Sequence, residues 1–489
     1  MSNSIKKQTI SGAIWKFAER VLAEAVHFIV SIVLARLLLP DDYGLIALVL
    51  VFTTICDKLL VCGFATSLIQ KKDADEIDFS SVLYFSFAAA ALLYIGLYFC
   101  APLIANYYNH FDFELLVSVI RVLGLSLFLV AFNSVQNAYV SKYMLFKRNF
   151  WSKMGATLIS GIVGIGMAYA GYGVWALVAS NMLMTFIGMA ILFFTVGWRP
   201  QLVFSVERLG GLFSYGWKIF ASSMIKVLYN NLRSLVIGKV YTPADLAFYN
   251  RGLTLPQLVD SNVTGTIDAV LFPAYSKLQD DKPTMVKAMR RAVKTSCYIL
   301  MPLLALMAAV SSPLVSVLLT DKWLPCVPYM QILCLSFMFS PVETENLQSI
   351  KAIGRSDIVL KLEIAKRTIG VLLLICAIPF GIMAIAWTMF IGNVIAAMLN
   401  ASPNKELIGY SVGQQFVDVL PSLVMSIIVF IVGGSIVYIS PNINVWVQLI
   451  GGSVLGLLVY VLLSLIFHVE AFTYILNMLR KKKQNTYDS

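Results

Sequence analysis

Runs of about 20 apolar residues, recurring from one end of the chain to the other, constrain this sequence more than any other feature in it. A helix of that length matches the ~30 Å hydrocarbon core of a bilayer. Of 489 residues, 59% are hydrophobic and only 13% are charged, against roughly 25% charged in soluble domains. A water-soluble fold could not cover so much apolar surface. Lipid is the solvent this chain calls for, and the expected fold class is an all-α polytopic membrane protein. About fourteen spans are expected, near residues 11–38, 43–70, 79–104, 113–141, 150–170, 172–197, 212–239, 244–273, 292–313, 326–349, 358–380, 382–400, 414–438 and 443–468. Polar residues interrupt the eighth and the tenth. No long polar stretch remains for a soluble domain.

The net charge of +11 does not point to nucleic acid, because the basic residues sit between spans and no recognition motif accompanies them. A positive-inside bias accounts for the excess. With the N-terminus inside, the inner connections hold Lys6, Lys7, Lys71, Lys72, Lys142, Lys147, Arg148, Arg199 and Arg208, and then a run from Lys277 to Arg291. Lys351, Arg355, Lys405 and the segment from Arg480 to Lys483 continue the series. The outer connections are short and carry little basic charge beyond Lys239 and Lys322. This alternation requires an even number of spans with both termini in the cytoplasm. The first residues lack a compact apolar core and cleavage site, and read as a cytoplasmic lead-in. The tail from Glu470 to Lys483 reads either as a helix lying on the inner membrane surface or as a frayed basic end.

The seven cysteines (Cys56, Cys62, Cys100, Cys297, Cys326, Cys334 and Cys376) form no CxxC pair, and there are three histidines. Neither a metal nor a cofactor is expected. Most of these cysteines fall inside spans, as small apolar residues do.

The chain repeats itself with an offset of about 202 residues. Trp15-Lys16 answers to Trp217-Lys218, Pro40-Asp41-Asp42 to Pro243-Ala244-Asp245, and Asp57 to Asp260, with one inserted residue on the way. An offset of six spans gives both halves the same membrane orientation. Parallel repeats of this kind are a transporter trait. The expected lobes are residues 1–200 and 201–402, each of six helices, and residues 403–489 add two helices and the basic tail.

Charges inside the spans follow the repeat. Lys16, Arg20, Glu24, His27 and Ser31 fall on one face of the first helix. Lys218, Ser222, Lys226, Tyr229 and Arg233 fall on one face of the seventh, at the same spacing. A charge at a helix centre costs roughly 2.5–3.5 kcal/mol in lipid, so each stripe must face protein or a wet cavity. Two mainly cationic stripes on equivalent helices imply a central cavity and an anionic partner. The structural alternative is ion pairing that joins helices, with Arg20 beside Glu19 or Glu24 as the obvious local pair. The second stripe has no acidic residue of its own. Asp57 is either neutralised by Lys58 or, with Asp260, a candidate for coupling to a proton or sodium ion. Arg251 either reaches the cavity or caps the outer interface.

Several stretches resemble the polysaccharide transporter family. They are ARLLLPDDYGLIALV near the start, LAFYNRGLTLPQLV around Arg251, LFPAYSKLQDD from Leu271, TDKWLPCVPYMQIL from Thr320 and KAIGRSDIVLKLEIAKR from Lys351. The likeness covers essentially the whole chain and is nearest to the branch of lipopolysaccharide and colanic-acid exporters, within the superfamily that also holds MATE drug exporters. It implies a bundle of six plus six helices with two more, alternating access at the bacterial inner membrane, and an undecaprenyl-pyrophosphate-linked oligosaccharide as cargo. The family's cationic cavity would fall here on Lys16, Arg20, Lys218, Lys226, Arg233 and Arg251. Expected partners are the lipid-linked oligosaccharide, membrane lipids and glycan polymerase or ligase machinery. A drug exporter on the same fold should have an aromatic and acidic cavity instead. A membrane glycan polymerase or ligase should have a large extracytoplasmic region, whereas the longest outer connections are about ten residues. No nucleophile–base pair or phosphate loop is present, so a non-enzymatic role is expected.

Overall fold

In lipid, a backbone must satisfy its own polar groups, which restricts a spanning chain to helices or a closed barrel. This one forms helices. The computed structural model describes residues 22–439 and 442–473, and among these there is no β-strand. Nine helical stretches among the described residues are long and apolar enough to cross a membrane. The protein is a multi-pass membrane protein. The chain divides into two compact units, one ending at Ala247 and the other beginning at Phe248.

The first unit contains α1 (Glu24–Leu37), α2 (Pro40–Val61), α3 (Phe64–Gln70), α4 (Glu76–Tyr107), α5 (Phe113–Gly124), α6 (Ser126–Lys142), α7 (Phe146–Tyr169), α8 (Val174–Thr195) and α9 (Val206–Val240). The span expected at 43–70 is broken into α2 and α3, because Cys62 and Gly63 both take left-handed backbone angles, with φ of 44° and 75°. The span expected at 113–141 likewise divides between Gly124 and Ser126. Phe79, Trp198, Leu209, Leu212 and Phe64 form the core at the end of the unit where α4 begins. The segment leading into α9 is fastened to α4 there: Gln201 N donates to Ser80 Oγ at 3.0 Å and Ser205 N to Ser81 Oγ at 3.0 Å.

Helix α10 (Pro243–Ser276) starts in the first unit and continues into the second. Its beginning repeats that of α2. Asp42 accepts from the Leu39 N–H at 3.1 Å, and Asp245 accepts from the Thr242 N–H at 3.2 Å. In each case a proline opens the helix and a carboxylate two residues later satisfies an N–H left unpaired at its end.

The second unit continues with α11 (Lys282–Ala309), α12 (Ser311–Leu319), α13 (Val327–Phe337), α14 (Ser340–Ala352), α15 (Ser356–Ala377), α16 (Ile382–Ala401), α17 (Asn404–Ile408), α18 (Val412–Ile439) and α19 (Val445–Ile466). The interrupted span at 326–349 divides into α13 and α14, preceded by a 3₁₀ turn over Asp321–Cys326. Four further helices, α7, α9, α10 and α15, run for 24, 35, 34 and 22 residues and fall outside the nine apolar stretches. Helix α18 lies along α11 and α19, around Tyr298, Met425, Val429 and Tyr460. Most of the basic tail lies outside the described residues; Glu470, at its start, pairs with Lys294 at 3.0 Å.

Candidate functional site

The second basic stripe lies on α9, and the packing of that helix decides how the stripe is presented. Both ends of α9 are pinned. At one end Gly216 lies so close to Gly63 that a methyl on Gly63 would overlap the Gly216 carbonyl, and Ser67 Oγ donates to the Leu212 carbonyl at 2.9 Å. At the other end Gly238 packs on Leu48 and Tyr108, and Lys239 Nζ donates to the Tyr107 carbonyl at 2.5 Å. Between these anchors, from Trp217 to Leu232, no residue is buried. Lys218, Ser222 and Lys226 are exposed on this bare middle, and Tyr229 is half-buried. Arg233 closes the stripe where the helix regains its packing, and is 9% exposed. Its guanidinium carbon lies 5.9 Å from the Tyr229 ring centroid, and its Nε has no hydrogen-bond partner. A guanidinium largely withdrawn from water and, among the described residues, not paired with a carboxylate is well suited to a phosphate oxygen.

Of the first stripe, Glu24 and His27 are exposed on α1, which packs on α7. Lys16 and Arg20 lie outside the described residues. Asp57, on α2, is half-buried; one carboxyl oxygen has no hydrogen-bond partner, and no ion pair joins it to Lys58 among the described residues. Asp260, on α10, accepts a hydrogen bond from the Ser340 hydroxyl. Arg251 sits with its guanidinium carbon 5.4 Å from the ring of Trp323, a fully buried residue that Phe248 also meets edge-on. The structure therefore gathers Lys218, Lys226, Tyr229 and Arg233 along one helix. Arg251 and Asp260 are held by contacts of their own in the second unit.

The model of a family described as "Polysaccharide biosynthesis protein" matches residues 33–328, more than half of the chain. The chain belongs to this family of polysaccharide biosynthesis proteins. Within reach of the family match, the lipopolysaccharide biosynthesis protein WzxC of Escherichia coli is 24% identical over 86% of this chain and 88% of its own length. The succinoglycan biosynthesis transport protein ExoT of Rhizobium meliloti is 20% identical over 99% of this chain and 98% of its own. The fold is shared with the lipid II flippase MurJ in an inward closed conformation, at a TM-score of 0.73 and 14% identity, over 94% of this chain and 99% of that one.

Other charged clusters in this family member have no counterpart in the sequence reading. Asp78, wholly buried at the start of α4, is met by Lys71 at 2.7 Å and by Arg208 at 3.6 Å, while Arg208 also holds Asp75 at 2.6 Å. Lys71 and Arg208 border a cleft of about 570 Å³ with Gln70 and Tyr215. Burial is the largest single influence on the Asp75 carboxyl and raises it, but the hydrogen bonds from Arg208 and the Asp78 N–H, with the charges of Arg208 and Lys71, together hold the group below its ordinary value. In the second unit Arg290 grips Asp418 through two bonds of 2.7 and 2.8 Å, with Lys294 at 3.5 Å. Asn346, Gln415, Asn404 and Ser349 exchange hydrogen bonds of 2.6–3.1 Å in the interior. Loop lysines with acidic residues a few positions away were the available signal for the Asp78 cluster. The partners of Asp418 and Asn346 lie too far along the chain for spacing to reveal them.

Proposed function

We propose that the protein moves an anionic, lipid-linked oligosaccharide across the bacterial inner membrane, as a step in building a cell-surface polysaccharide or lipopolysaccharide. The observation that carries this reading is the basic stripe on the unburied middle of α9. Lys218 and Lys226 are accessible there, and Arg233 is largely buried and, among the described residues, without a carboxylate partner. The names of the relatives support the cargo class: one is a succinoglycan biosynthesis transport protein and the protein sharing the fold is a lipid II flippase.

In this reading, pyrophosphate is drawn from water by Lys218 and Lys226, with Lys16 and Arg20 as their counterparts on the first helix. Arg233 supplies a bidentate guanidinium, and the ring of Tyr229 keeps it in place. The prenyl tail stays in lipid. Transport proceeds by alternating access, both termini stay in the cytoplasm, and the protein itself breaks no covalent bond. Glu24 and His27 set the polarity of the first stripe. Arg251 is a further phosphate contact, while Asp57 and Asp260 are the carboxylates proposed for coupling to an ion. The basic sign of the stripe favours this cargo over the cationic drugs that an acidic cavity would select.

The test is charge reversal. Lys226→Glu and Arg233→Glu should each abolish surface glycan and cause the lipid-linked intermediate to accumulate, with the protein still folded in the membrane. Lys226→Arg should retain transport. Normal surface glycan from both reversed variants would refute the assignment.

A further inference from the structure

Glu345, on α14, is completely buried, and among the described residues neither carboxyl oxygen makes a hydrogen bond of good geometry, the Ser296 hydroxyl being the nearest donor. Asp78 lies equally deep but is met by Lys71 and Arg208. Glu345 has no such company. Helix α14 packs on α16 and α11, and more lightly on α15 and α17. Helix α16 contains no titratable residue. From α11, Ser296 and Cys297 lie within electrostatic reach of the carboxyl, as do Tyr275 of α10 and Tyr410.

Among the described residues no cation acts on the Glu345 carboxyl, and several of those on these elements are engaged elsewhere. Lys366 is held by Glu343 at 2.9 Å and Glu363 at 2.6 Å, and Arg367 by Glu363 at 3.3 Å. Arg290 and Lys294 are held by Asp418, and Lys405 of α17 is exposed beside Glu406. The Tyr275 hydroxyl is itself buried without a hydrogen-bond partner.

An ionised carboxylate at this position would have no counter-charge, and only the Ser296 hydroxyl to offset its burial. Burial of an unpaired charge is among the costliest arrangements a fold can contain. The neutral acid removes the charge and provides an O–H, for which the Tyr275 and Ser296 oxygens are acceptors. We propose that Glu345 is a proton-binding site, loaded in this conformation, with Tyr275 and Ser296 as its hydroxyl neighbours.

A row of ionisable side chains leads from the carboxyl towards the surface. Tyr410 donates to Asp418 at 2.8 Å, and Asp418 borders a cleft of about 620 Å³ together with Lys294, His468 and Glu470. Tyr275 and Tyr410 are electrostatic neighbours of one another and of Glu345. The bound proton keeps α14 seated against α10 and α11, and its loss would draw water into their contact. This site goes beyond the transport reading and stands independently of what the cargo is.

Infrared spectra of the full-length protein in lipid nanodiscs, titrated with pH, test the site. The wild type should show the carbonyl stretch of an un-ionised carboxyl at neutral pH, and Glu345→Gln should lack it. Thermal stability should fall in the wild type as pH rises far enough to ionise the group, and should not fall over that interval in Glu345→Gln. Identical spectra, or identical pH–stability curves, for the two proteins would overturn the proposal. Glu345→Asp serves should the glutamine variant not fold: it keeps an acid, so the carboxyl band must persist at a shifted frequency, and an unaltered band would overturn the assignment.

Discussion

Asp78 and Arg233 show two opposite ways in which single charges are accommodated in this interior. Asp78 is matched: Lys71, Arg208 and the Asp75 N–H, at 3.2 Å, all converge on it. Removing a partner from such a buried pair generally costs 3–5 kcal/mol. Because Lys71 is 36% exposed, Lys71→Met should lower stability by the smaller end of that scale, about 3 kcal/mol, read as an earlier thermal unfolding midpoint in detergent or nanodiscs. Its neighbour Asp75 makes a pH prediction. A carboxyl held below its ordinary value by Arg208 contributes stability that is present at neutral pH and is lost only as the pH falls through that lowered value. Hydrogen exchange at residues 201–205 should therefore resist mild acid in the wild type, and Arg208→Gln should lose that protection already in the ordinary carboxylate range. Arg233 is unmatched among the described residues, and that was legible: no acidic residue shares its helical face from Lys218 onward. Glu345 was not legible. Flanked by Thr344 and Asn346 in a polar run, it reads as the wet end of a helix, and only the packing of α11 and α16 around α14 buries it.

At the scale of elements, the contact of α2 with α9 depends on backbone approaching backbone. Gly63 combines a positive φ of 75° with a carbonyl where its side chain would stand. Gly63→Ala carries both the strain of that angle and the overlap, and overpacking alone costs about 1–3 kcal/mol. The variant should show a lower midpoint and easier proteolysis between α2 and α3, and Gly96→Ala, with open space around it, should behave as wild type. The helix openings at Pro40 and Pro243 were readable, since proline and a following carboxylate specify a helix start with local chemistry alone. The break at Cys62 was not, because cysteine is no turn former and the apolar run continues through it. The 3₁₀ turn around Trp323 falls in the outer connection that Lys322 marked, with Pro325 and Pro328 beside it.

At the scale of the whole molecule, lipid as solvent and helix as the fold class followed directly from span length, and the shared fold and family agree with them. The last two helices lie beyond the repeat expected from the sequence, yet α18 supplies Asp418 to Arg290 and Gln415 to Asn346. A chain ending after Ile408 would leave Arg290 and Asn346 without these partners and uncover the apolar side of α11. Its accumulation in membranes should drop sharply, as measured by immunoblot against the full-length protein.

Helix α9 is, mechanically, a beam clamped at both supports and unloaded along its span. Such a beam answers a sideways pull by bowing, not by sliding. Spin labels should thus report their widest excursions near Lys226 and almost none beside Gly216 or Gly238. Cargo tugging at the midpoint would change the curvature of the rod while its footings stay still.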